Sequence, residues 1–419
     1  MSSGATKELA VEVIRVLRRA GHQAVLAGGC VRDMLLGIRP ADYDVATSAR
    51  PEQVKALFRH VLMVGAKFGV AMVIFGRRKV EVATFRSDVS YTDGRRPDQV
   101  HFSDGRRDAL RRDFTINGMF HDPLAGTTID YVGGRRDLRR KVIRAIGQPE
   151  HRFDEDHLRM LRAVRFSVRF GFAIEPATAL AIRHHAGRIV RISGERVREE
   201  LEKMLARPSA PQALEQLHEL GLLQHILPEL FGPGEDKTPQ PGQPKDALWP
   251  SALRRVRLVA RRCDVEMNLA ALLGELDRHQ IEAIARRWGA SNRLREDLVW
   301  LAAHLRDWQK MPTAELAAVK ILMAGRQFAR LRILWRLDER LRTGGVACNR
   351  RIAARIRRIP TGQVAPAPLV SGADLKGLGL SEGPRLGRIL AALYRAQLNE
   401  GIATRAQAMD LAAGLIGKE

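Results

Sequence analysis

The spacing of hydrophobic and polar residues changes about one third of the way along the chain. Up to about residue 150, short β-rich runs such as Ala24–Ala27 and Val70–Phe75 alternate with helical segments. Beyond that point the apolar residues recur three and four positions apart, which is the spacing of an amphipathic helix. The strongest predicted helices are residues 154–170, 176–185 and 193–205. The pattern predicts an α+β protein with a mixed α/β N-terminal part followed by all-helical regions.

The change in pattern and one break in composition divide the chain into three predicted regions. They are a mixed α/β region at 1–150, a helical region at 151–231 and a further helical region at 232–419. Residues 232–244 are rich in proline, glycine and charge and are the best linker candidate. Residues 86–108 contain few apolar side chains and predict a mobile loop with one short strand. Arg95 and Arg96 in that loop are candidates to steer phosphates, and a plain solvated loop is the alternative.

A strong excess of positive charge points to a polyanionic partner. The 419 residues include 70 lysines and arginines against 47 aspartates and glutamates, a formal net charge of +23. Nucleic acid is favoured over an anionic membrane surface, and a solvated basic surface is the alternative. The three cysteines lie far apart and predict neither a disulfide framework nor a zinc site. No apolar run is long enough to span a bilayer, and the N-terminus lacks a signal-peptide pattern, so we expect a cytoplasmic protein.

The stretch 26–47 contains the residues best suited to a nucleoside triphosphate. Gly28 and Gly29 carry no side chain that would keep backbone amides away from phosphate oxygens. Arg32, in the short helix predicted to follow, adds a positively charged fork. The stretch therefore predicts a phosphate-binding site.

Asp42 and Asp44 are the candidate metal ligands. Residues 42–46 predict a strand, in which positions two apart point to the same face. Two carboxylates on one rigid surface suit a pair of magnesium ions for in-line phosphoryl transfer, and turn-forming aspartates after Pro40 are the alternative. Glu81, on a later predicted strand, is a candidate third carboxylate, and a solvent-facing glutamate is equally compatible with the pattern.

Three motifs carry a resemblance to a known family. They are Gly28-Gly-Cys-Val-Arg-Asp33 followed by Asp42-Tyr-Asp44, then Arg111-Arg-Asp-Phe-Thr-Ile-Asn117, then Glu155-Asp-His-Leu-Arg-Met-Leu-Arg-Ala-Val-Arg-Phe166. In this order they resemble the signature of class II tRNA nucleotidyltransferases and bacterial poly(A) polymerases. The resemblance covers residues 20–230 and returns at 371–388. Two small departures are Cys30, where alanine is usual, and Gly118, where alanine is more frequent.

The resemblance implies a polymerase-β-like nucleotidyltransferase head followed by helical neck, body and tail regions. It implies a magnesium-dependent enzyme that adds CCA to tRNA 3′ ends from CTP and ATP and releases pyrophosphate. Asp42 and Asp44 are implied to hold the magnesium ions. Gly29 and Arg32 are implied to contact the triphosphate, with Arg112 assisting. The residues implied to line the nucleotide pocket are Asp156, Arg159, Arg162 and Arg165. The basic C-terminal helices are expected to hold the RNA backbone.

An Asp–Arg pair offers a chemical basis for choosing C and A without a nucleic-acid template. Cytosine and adenine each present an exocyclic amine beside an unprotonated ring nitrogen, whereas uracil and guanine present a carbonyl beside a ring N–H. Asp156 is suited to accept from the amine while Arg159 donates to the ring nitrogen. Residues three apart on a helix are neighbours, so Asp156 and Arg159 form a row of side chains that continues to Arg162 and Arg165. The two ends of this row face nearly opposite sides of the helix. A solvated cationic face is the alternative for this row.

The function predicted from these residues is template-independent CCA addition to tRNA. The near alternative is a poly(A) polymerase, or an enzyme of the same family that adds only CC or only A. The strongly basic tail expected of the bacterial poly(A) polymerases is not evident in the sequence. A catalytically silent RNA-binding protein is the distant alternative, and the intact pair of Asp42 and Asp44 argues against it. The expected partners are tRNA, CTP and ATP, with no membrane and no obligate protein partner.

Overall fold

The computed structural model describes residues 6–63, 69–88, 100–231 and 248–417. Arg95, Arg96 and the predicted linker at 232–244 lie outside these ranges. The chain divides into two compact units, the first comprising Met1–Asp246 and Arg287–Gly289 and the second Ala247–Arg286 and Ala290–Glu419. The finer division at residues 150 and 231 stays a prediction. None of the described helices is both long and apolar enough to cross a membrane.

The strands described in the first unit form one large sheet and two small ones. They are β1 (Ala24–Ala27), β2 (Asp44–Thr47), β3 (Val61–Leu62), β4 (Val70–Phe75), β5 (Arg78–Thr84), β6 (Arg86–Asp88), β7 (Val100–Phe102), β8 (Met119–Asp122), β9 (Thr127–Asp130), β10 (Val142–Ile143) and β11 (Ala173–Ile174). The large sheet has the order β3-β4-β5-β2-β1-β8-β9. Its neighbours run antiparallel except β2 and β5, which are parallel. This sheet confirms the predicted mixed α/β character of the N-terminal part.

The described α-helices occur throughout the chain and make up all of the regular structure after β11, apart from short 3-10 turns. Up to residue 231 they are α1 (Lys7–Arg19), α2 (Gly29–Leu35), α3 (Pro51–Leu57), α4 (Gly105–Leu110), α5 (Gly134–Arg140), α6 (Pro149–Glu155), α7 (Leu158–Phe170), α8 (Pro176–His185), α9 (Gly194–Leu205), α10 (Ala210–Glu219) and α11 (Leu223–Ile226). From residue 248 onward they are α12 (Trp249–Val259), α13 (Val265–Leu273), α14 (Arg278–Arg287), α15 (Asn292–His304), α16 (Leu316–Ala324), α17 (Phe328–Thr343), α18 (Ala347–Arg357), α19 (Gly372–Gly377), α20 (Pro384–Leu398) and α21 (Arg405–Ile416). The predicted α+β class is confirmed.

Strand β1 fixes the position of the glycine pair. It lies inside the large sheet between β2 and β8, and all four of its residues are buried. Helix α1 contributes fully buried Val13, Ile14 and Leu17 to the core of this unit. Because β1 leads directly into Gly28, the turn after it starts from a rigid base.

The strand predicted at residues 42–46 begins two residues later, at Asp44. Strands β1 and β2 pair from Ala24 opposite Thr47 to Ala27 opposite Asp44. The residue after Ala27 is Gly28, whose φ of +70° turns the chain away from the ladder. The prediction that both aspartates lie on one strand was therefore wrong, because Asp42 lies in the segment that precedes β2.

The helix predicted at residues 154–170 is interrupted at Asp156. Helix α6 ends at Glu155, and Asp156 has extended backbone with φ −151° and ψ 102°. Its Oδ1 accepts a hydrogen bond from the backbone N–H of Leu158 at 3.0 Å, a local bond that competes with continuation of the helix. The prediction that Asp156 and Arg159 lie three apart on one helix was wrong, since α7 begins at Leu158.

Two other segments contain more regular structure than the hydrophobic pattern predicted. Within residues 86–108, β6 pairs antiparallel with β7, and α4 begins after Asp104, whose side chain accepts from the backbone N–H of Arg107 at 2.8 Å. Beyond residue 150, β11 pairs with β10. These short elements are stabilised by backbone hydrogen bonds between strands and by one helix cap. Neither is visible in the spacing of apolar residues.

Gly134 provides a test of the packing under the large sheet. A Cβ at Gly134 would lie 2.3 Å from the carbonyl oxygen of Thr115 and 2.8 Å from Cγ of Met119. We expect Gly134→Ala to lower the free energy of unfolding by about 1–3 kcal/mol, because overpacking forces backbone to shift. Gly105, also the first residue of a helix, would place a Cβ 3.6 Å from Phe85, so Gly105→Ala is the matched control. Urea unfolding followed by circular dichroism checks both, and equal stability of the two variants would contradict the packing described.

Candidate active site

A cavity of about 720 Å³ in the first unit collects the predicted site residues. It is lined by all ten residues that the sequence analysis assigned to catalysis or nucleotide binding: Gly28, Gly29, Arg32, Asp42, Asp44, Arg112, Asp156, Arg159, Arg162 and Arg165. They come from the start of α2, the first residue of β2 and the segment before it, the turn after α4, and α7 with the C-cap residue of α6. Residues more than a hundred positions apart in sequence thus line one cavity.

Gly28 is a position that only glycine fits. Its φ is +70°, and a Cβ there would lie 2.8 Å from Nη1 of Arg112. Gly29 has ordinary backbone geometry, and a Cβ there would lie 3.6 Å from Nη2 of Arg32, which is normal contact. The positive φ and the close approach of Arg112 therefore explain why a glycine is required at position 28.

Asp42 and Asp44 are the acidic side chains of the cavity without a protein partner in the described part of the chain. No hydrogen bond or ion pair reaches either carboxylate from those residues. Burial, followed by the negative charges of Glu81 and Asp42, raises the pKa of Asp44 to about 6, while Arg112 acts in the opposite direction. Asp44 is half-buried and Asp42 is exposed. Neighbouring carboxylates that repel each other are stabilised by a bound cation, so the pair fits a divalent metal.

Glu81 lies close enough to act on Asp44 but does not line the cavity. It is exposed on β5, one position before Val82, which pairs with Val45 of the parallel strand β2. Among the residues that the structure describes, no group of three or more histidine, cysteine, aspartate or glutamate side chains has the arrangement of a metal site. The protein therefore offers two carboxylates, and a role for Glu81 as a third ligand stays a prediction.

Arg32 is buried and held by two partners. Its Nε donates to Oδ1 of Asp33 at 2.8 Å, its Nη1 donates to Oδ1 of Asn117 at 2.5 Å, and its guanidinium lies 4.7 Å from the ring centroid of Phe170. Arg169 of α7 donates to the other oxygen of Asp33 at 3.1 Å. This arrangement fixes the orientation of the Arg32 fork before any anion arrives.

One buried carboxylate, Asp108, orients two arginines. Arg111 donates to its Oδ1 through Nε and Nη2 at 2.9 and 2.7 Å, and Arg112 donates to its Oδ2 through Nε and Nη2 at 3.1 and 3.0 Å. Although burial acts to raise it, the charges of Arg112 and Arg111 lower the pKa of Asp108. Asp108 therefore stays ionised and positions Arg112 beside Gly28.

Asp156 and Arg159 have separate partners and do not bind each other. Oδ2 of Asp156 accepts from Nη2 of Arg196 in α9 at 2.9 Å. Nη1 of Arg159 donates to Oε2 of Glu155 at 2.5 Å and to the carbonyl oxygen of Arg152 at 3.1 Å. Each member of the predicted base-reading pair is therefore oriented by a neighbour outside the pair.

The two remaining arginines of α7 are also paired with carboxylates. Arg162 donates to Oδ2 of Asp113 through Nε and Nη2 at 2.8 and 2.6 Å, and Arg165 donates to Oε2 of Glu200 at 2.5 Å. The guanidinium of Arg165 lies 4.2 Å from the ring centroid of Phe166. A freely solvated cationic face, the alternative raised from the sequence, does not describe this row.

Several contributors to the site were not predicted. The additional residues that line the cavity include Arg111, Asp113, Asn117, Phe166, Arg169 and Arg196. Four of them lie within the motifs quoted above, so their motif position was a usable signal. Arg169 and Arg196 carried no local signal, because their role depends on contacts with Asp33 and Asp156, which are distant in sequence.

Protein-family models match two parts of the chain. Residues 24–144 match the poly A polymerase head domain, and residues 171–231 match a domain described as a probable RNA and SrmB-binding site of polymerase A. The first match contains the glycine pair, the two aspartates and Arg112. Fold and site together therefore define a nucleotidyltransferase.

Curated relatives extend the match along the chain. The CCA-adding enzyme of Levilactobacillus brevis is 32% identical over 391 residues, covering 92% of each protein. The CCA-adding enzyme of Geobacillus stearothermophilus is 46% identical over 53% of this chain, and poly(A) polymerase I of Salmonella typhi is 41% identical over 53% of it. In these two alignments the chain spans about half of the relative's length, 55% and 50%. The chain belongs to the family of CCA-adding enzymes and bacterial poly(A) polymerases, whose members are generally metal-dependent.

A solved structure supports the same fold for the whole chain. The crystal structure of the Bacillus stearothermophilus CCA-adding enzyme in complex with CTP has a TM-score of 0.73 and 31% identity and covers 98% of each chain. At this coverage the likeness extends into the described residues 248–365, where the sequence carries little of the family resemblance.

The Asp113–Arg162 pair predicts a pH-dependent contribution to stability. Burial acts to raise the pKa of Asp113, but Arg162 and the hydrogen bonds from Asn117 and Arg162 lower it to about 2. A folded pKa below the unfolded value of about 3.9 stabilises the fold above about pH 4 by about 2 kcal/mol, and this contribution is lost as the pH falls toward 2.

We therefore expect Asp113→Asn to be less stable than the wild type at neutral pH, with the difference shrinking on acidification. Urea unfolding at a series of pH values measures it. Asp410→Asn, at an exposed carboxylate, is the control and should leave the profile unchanged. A difference between wild type and Asp113→Asn that is constant with pH would contradict the assignment.

Proposed function

We propose that this protein adds CCA to the 3′ ends of tRNA, using CTP and ATP and releasing pyrophosphate. The observation that carries the proposal is the single cavity in which Asp42 and Asp44 occur with Asp156 and Arg159. An acidic pair suited to phosphoryl transfer and a pair suited to reading C and A are thus placed together. The nearly full-length relatives and the matched solved structure are CCA-adding enzymes, which supports the choice.

The reaction is attack of the RNA 3′-hydroxyl on the α-phosphate of the incoming nucleotide. Asp42 and Asp44 would hold magnesium, which when bound lowers the pKa of the attacking hydroxyl and offsets charge on the leaving pyrophosphate. The backbone at Gly28 and Gly29 admits the triphosphate closely. Arg32, already oriented by its own partners, presents a fixed cation that needs no rearrangement during the reaction.

Nucleotide choice depends on two oriented side chains. Asp156 would accept from the exocyclic amine of cytosine or adenine, and Arg159 would donate to the adjacent ring nitrogen. Arg196 and Glu155 hold these groups in the free protein, so that selection depends on preorganised partners. Uracil and guanine present a carbonyl to Asp156 and an N–H to Arg159 and are rejected by both.

A poly(A) polymerase is the second candidate, because poly(A) polymerase I of Salmonella typhi is 41% identical over 53% of this chain. The Levilactobacillus brevis CCA-adding enzyme matches over 92% of this chain, and the solved CCA-adding enzyme covers 98% of it. These nearly full-length matches favour CCA addition, and an enzyme that adds only CC or only A would use the same site.

One assay distinguishes these activities. Purified protein and magnesium are incubated with tRNA lacking CCA, with tRNA lacking only the final A, or with a generic RNA, and each nucleotide is supplied alone and together. Sequenced 3′ ends that finish at CCA support the proposal. Long A tails on generic RNA indicate a poly(A) polymerase, truncated ends indicate a CC- or A-adding enzyme, and no extension indicates a silent RNA-binding protein.

Removal of one metal-binding carboxylate should separate catalysis from RNA binding. Asp44→Ala is expected to lower nucleotide incorporation by at least about a thousandfold, because charge at the reacting phosphates is then poorly compensated. The affinity for tRNA, measured by fluorescence anisotropy, should change little. Glu12→Ala removes an exposed carboxylate of α1 and is the matched control. Retained turnover in Asp44→Ala would remove the metal assignment.

Loss of the base-reading carboxylate should relax selectivity. Asp156→Ala is expected to narrow the preference for CTP and ATP over UTP and GTP by about 1–3 kcal/mol, which is about 5-fold to 150-fold in relative kcat/KM. Relative kcat/KM values for the four nucleotides measure it. Asp154→Ala, two residues away at an exposed carboxylate paired with Arg188, should retain wild-type selectivity. A uniform loss for all four nucleotides would contradict the base-reading role.

A further inference from the structure

A groove between two helices of the second unit gathers four arginines. Helices α17 and α18 enclose a cavity of about 240 Å³ lined by Arg332, Arg336, Arg350 and Arg357 together with Val346, Asn349 and Ala353. All four arginines are exposed. The groove belongs to neither the catalytic cavity nor the motifs of the N-terminal part.

The sequence spacing directs the four guanidinium groups into one groove. Arg332 and Arg336 are four positions apart on α17 and share a face of that helix. Arg350 and Arg357, seven positions apart on α18, also share a face. Ala353 lies between them, and its short side chain leaves the centre of the groove open.

A buried carboxylate fixes the corner between the two helices. Glu339 of α17 accepts from the backbone N–H groups of Cys348 and Asn349 at 2.7 and 2.8 Å and from Nδ2 of Asn349 at 2.6 Å. Glu339 is only 3% exposed. The first turn of α18 is therefore tied to α17, and the arginines project from a rigid framework.

The charge of this groove is not balanced by the protein. None of the four arginines has an ion-pair partner among the described residues, and the one side-chain hydrogen bond recorded for them there runs from Arg357 Nε to the carbonyl oxygen of Ala353 at 3.3 Å. The acidic residues of α17 are occupied elsewhere: Asp338 accepts from Trp308 and Arg342, and Glu339 holds α18.

Several other arginines of the same unit are paired with carboxylates. Arg278 donates to Glu282 at 2.8 Å, Arg326 binds Asp297 and Arg330 binds Asp264 at 2.8 Å. Like charges four apart on a helix are unfavourable, so four arginines gathered without acids are stabilised by an external anion. The gathering of four such arginines from two helices into one groove distinguishes this site from scattered basic side chains.

We propose that this arginine groove binds backbone phosphates of the RNA substrate. The proposal rests on the proposed function, which supplies RNA as the polyanion. Guanidinium forks match the geometry of phosphate oxygens. Each of the two helices contributes two arginines to the groove. No aromatic side chain lines the groove among the residues described for it, so base stacking is not offered and the contact is insensitive to sequence.

Salt-dependent binding tests the proposal directly. The double variant Arg332→Gln/Arg350→Gln removes one arginine from each helix. The affinity for tRNA lacking CCA is measured by fluorescence anisotropy between about 50 and 200 mM salt, where each phosphate contact adds about 0.7–0.9 to the slope of log K against log salt. For the double variant we expect the Kd for tRNA to rise by about tenfold at about 50 mM salt. We expect the magnitude of the slope of log K against log salt to fall by about 2.

A charge-matched control separates a local site from bulk charge. Arg278→Gln/Arg293→Gln removes two positive charges from the same unit at arginines that are near carboxylates. Its slope should stay close to the wild type. Equal effects of the two double variants would overturn the proposal, because only overall charge would then matter. The charge-conserving variant Arg332→Lys/Arg350→Lys should retain most of the slope, and loss of the slope there would also overturn it.

Kinetics provide a readout that a folding defect would not mimic. The groove variant should raise KM for tRNA while kcat and KM for CTP stay at wild-type values, and circular dichroism should be unchanged. If the double variant is unfolded, the single variants Arg332→Gln and Arg350→Gln replace it, each with an expected loss of about 1 in slope. Failure of the wild type to extend tRNA would refute the proposed function, whereas unchanged binding by the groove variants would refute the groove.

Discussion

The pairing of each cavity arginine with a carboxylate is the constraint on which the site depends. A cavity that must attract a triphosphate needs many cations, and buried cations without partners are costly. Asp33, Asp108, Asp113 and Glu200 each bind at least one arginine of the cavity. Two of these contacts, Arg169 with Asp33 and Arg162 with Asp113, join the sheet-bearing part of the first unit to α7. The same contacts that stabilise the fold therefore also orient cationic groups.

The cavity carboxylates that bind no arginine indicate where a metal would bind. Asp42 and Asp44 form no ion pair with the described residues, and burial, followed by the charges of Glu81 and Asp42, raises the pKa of Asp44. The protein thus distinguishes acids that position arginines from acids available to a metal. Asp156 occupies a middle position, since Arg196 orients it while it still lines the cavity.

The second unit uses arginine differently. Its paired arginines stabilise the fold, as when Arg326 ties the turn before α17 to Asp297 of α15. The arginines of the α17–α18 groove have no acidic partner in the described structure. In a protein of net charge +23, the positions of the carboxylates therefore show which arginines are available to a ligand, whereas the number of basic residues does not. The proposed division is a chemical site in the first unit and a phosphate-binding surface in the second.

The sequence by itself determined the α+β class and indicated the glycine pair and the acidic pair through the chemistry of one local motif. It indicated the further candidate residues through a family resemblance, and only the tertiary structure shows that all ten line one cavity. The sequence prediction began β2 two residues too early, because the positive φ at Gly28 ends the pairing with β1 opposite Asp44. It also continued one helix through Asp156, where a side-chain hydrogen bond to the backbone N–H of Leu158 interrupts the helix. Only the tertiary structure decided which acid binds which arginine. Arg169 with Asp33 and Arg196 with Asp156 are contacts between residues 136 and 40 positions apart, and no local pattern specifies a partner at that distance.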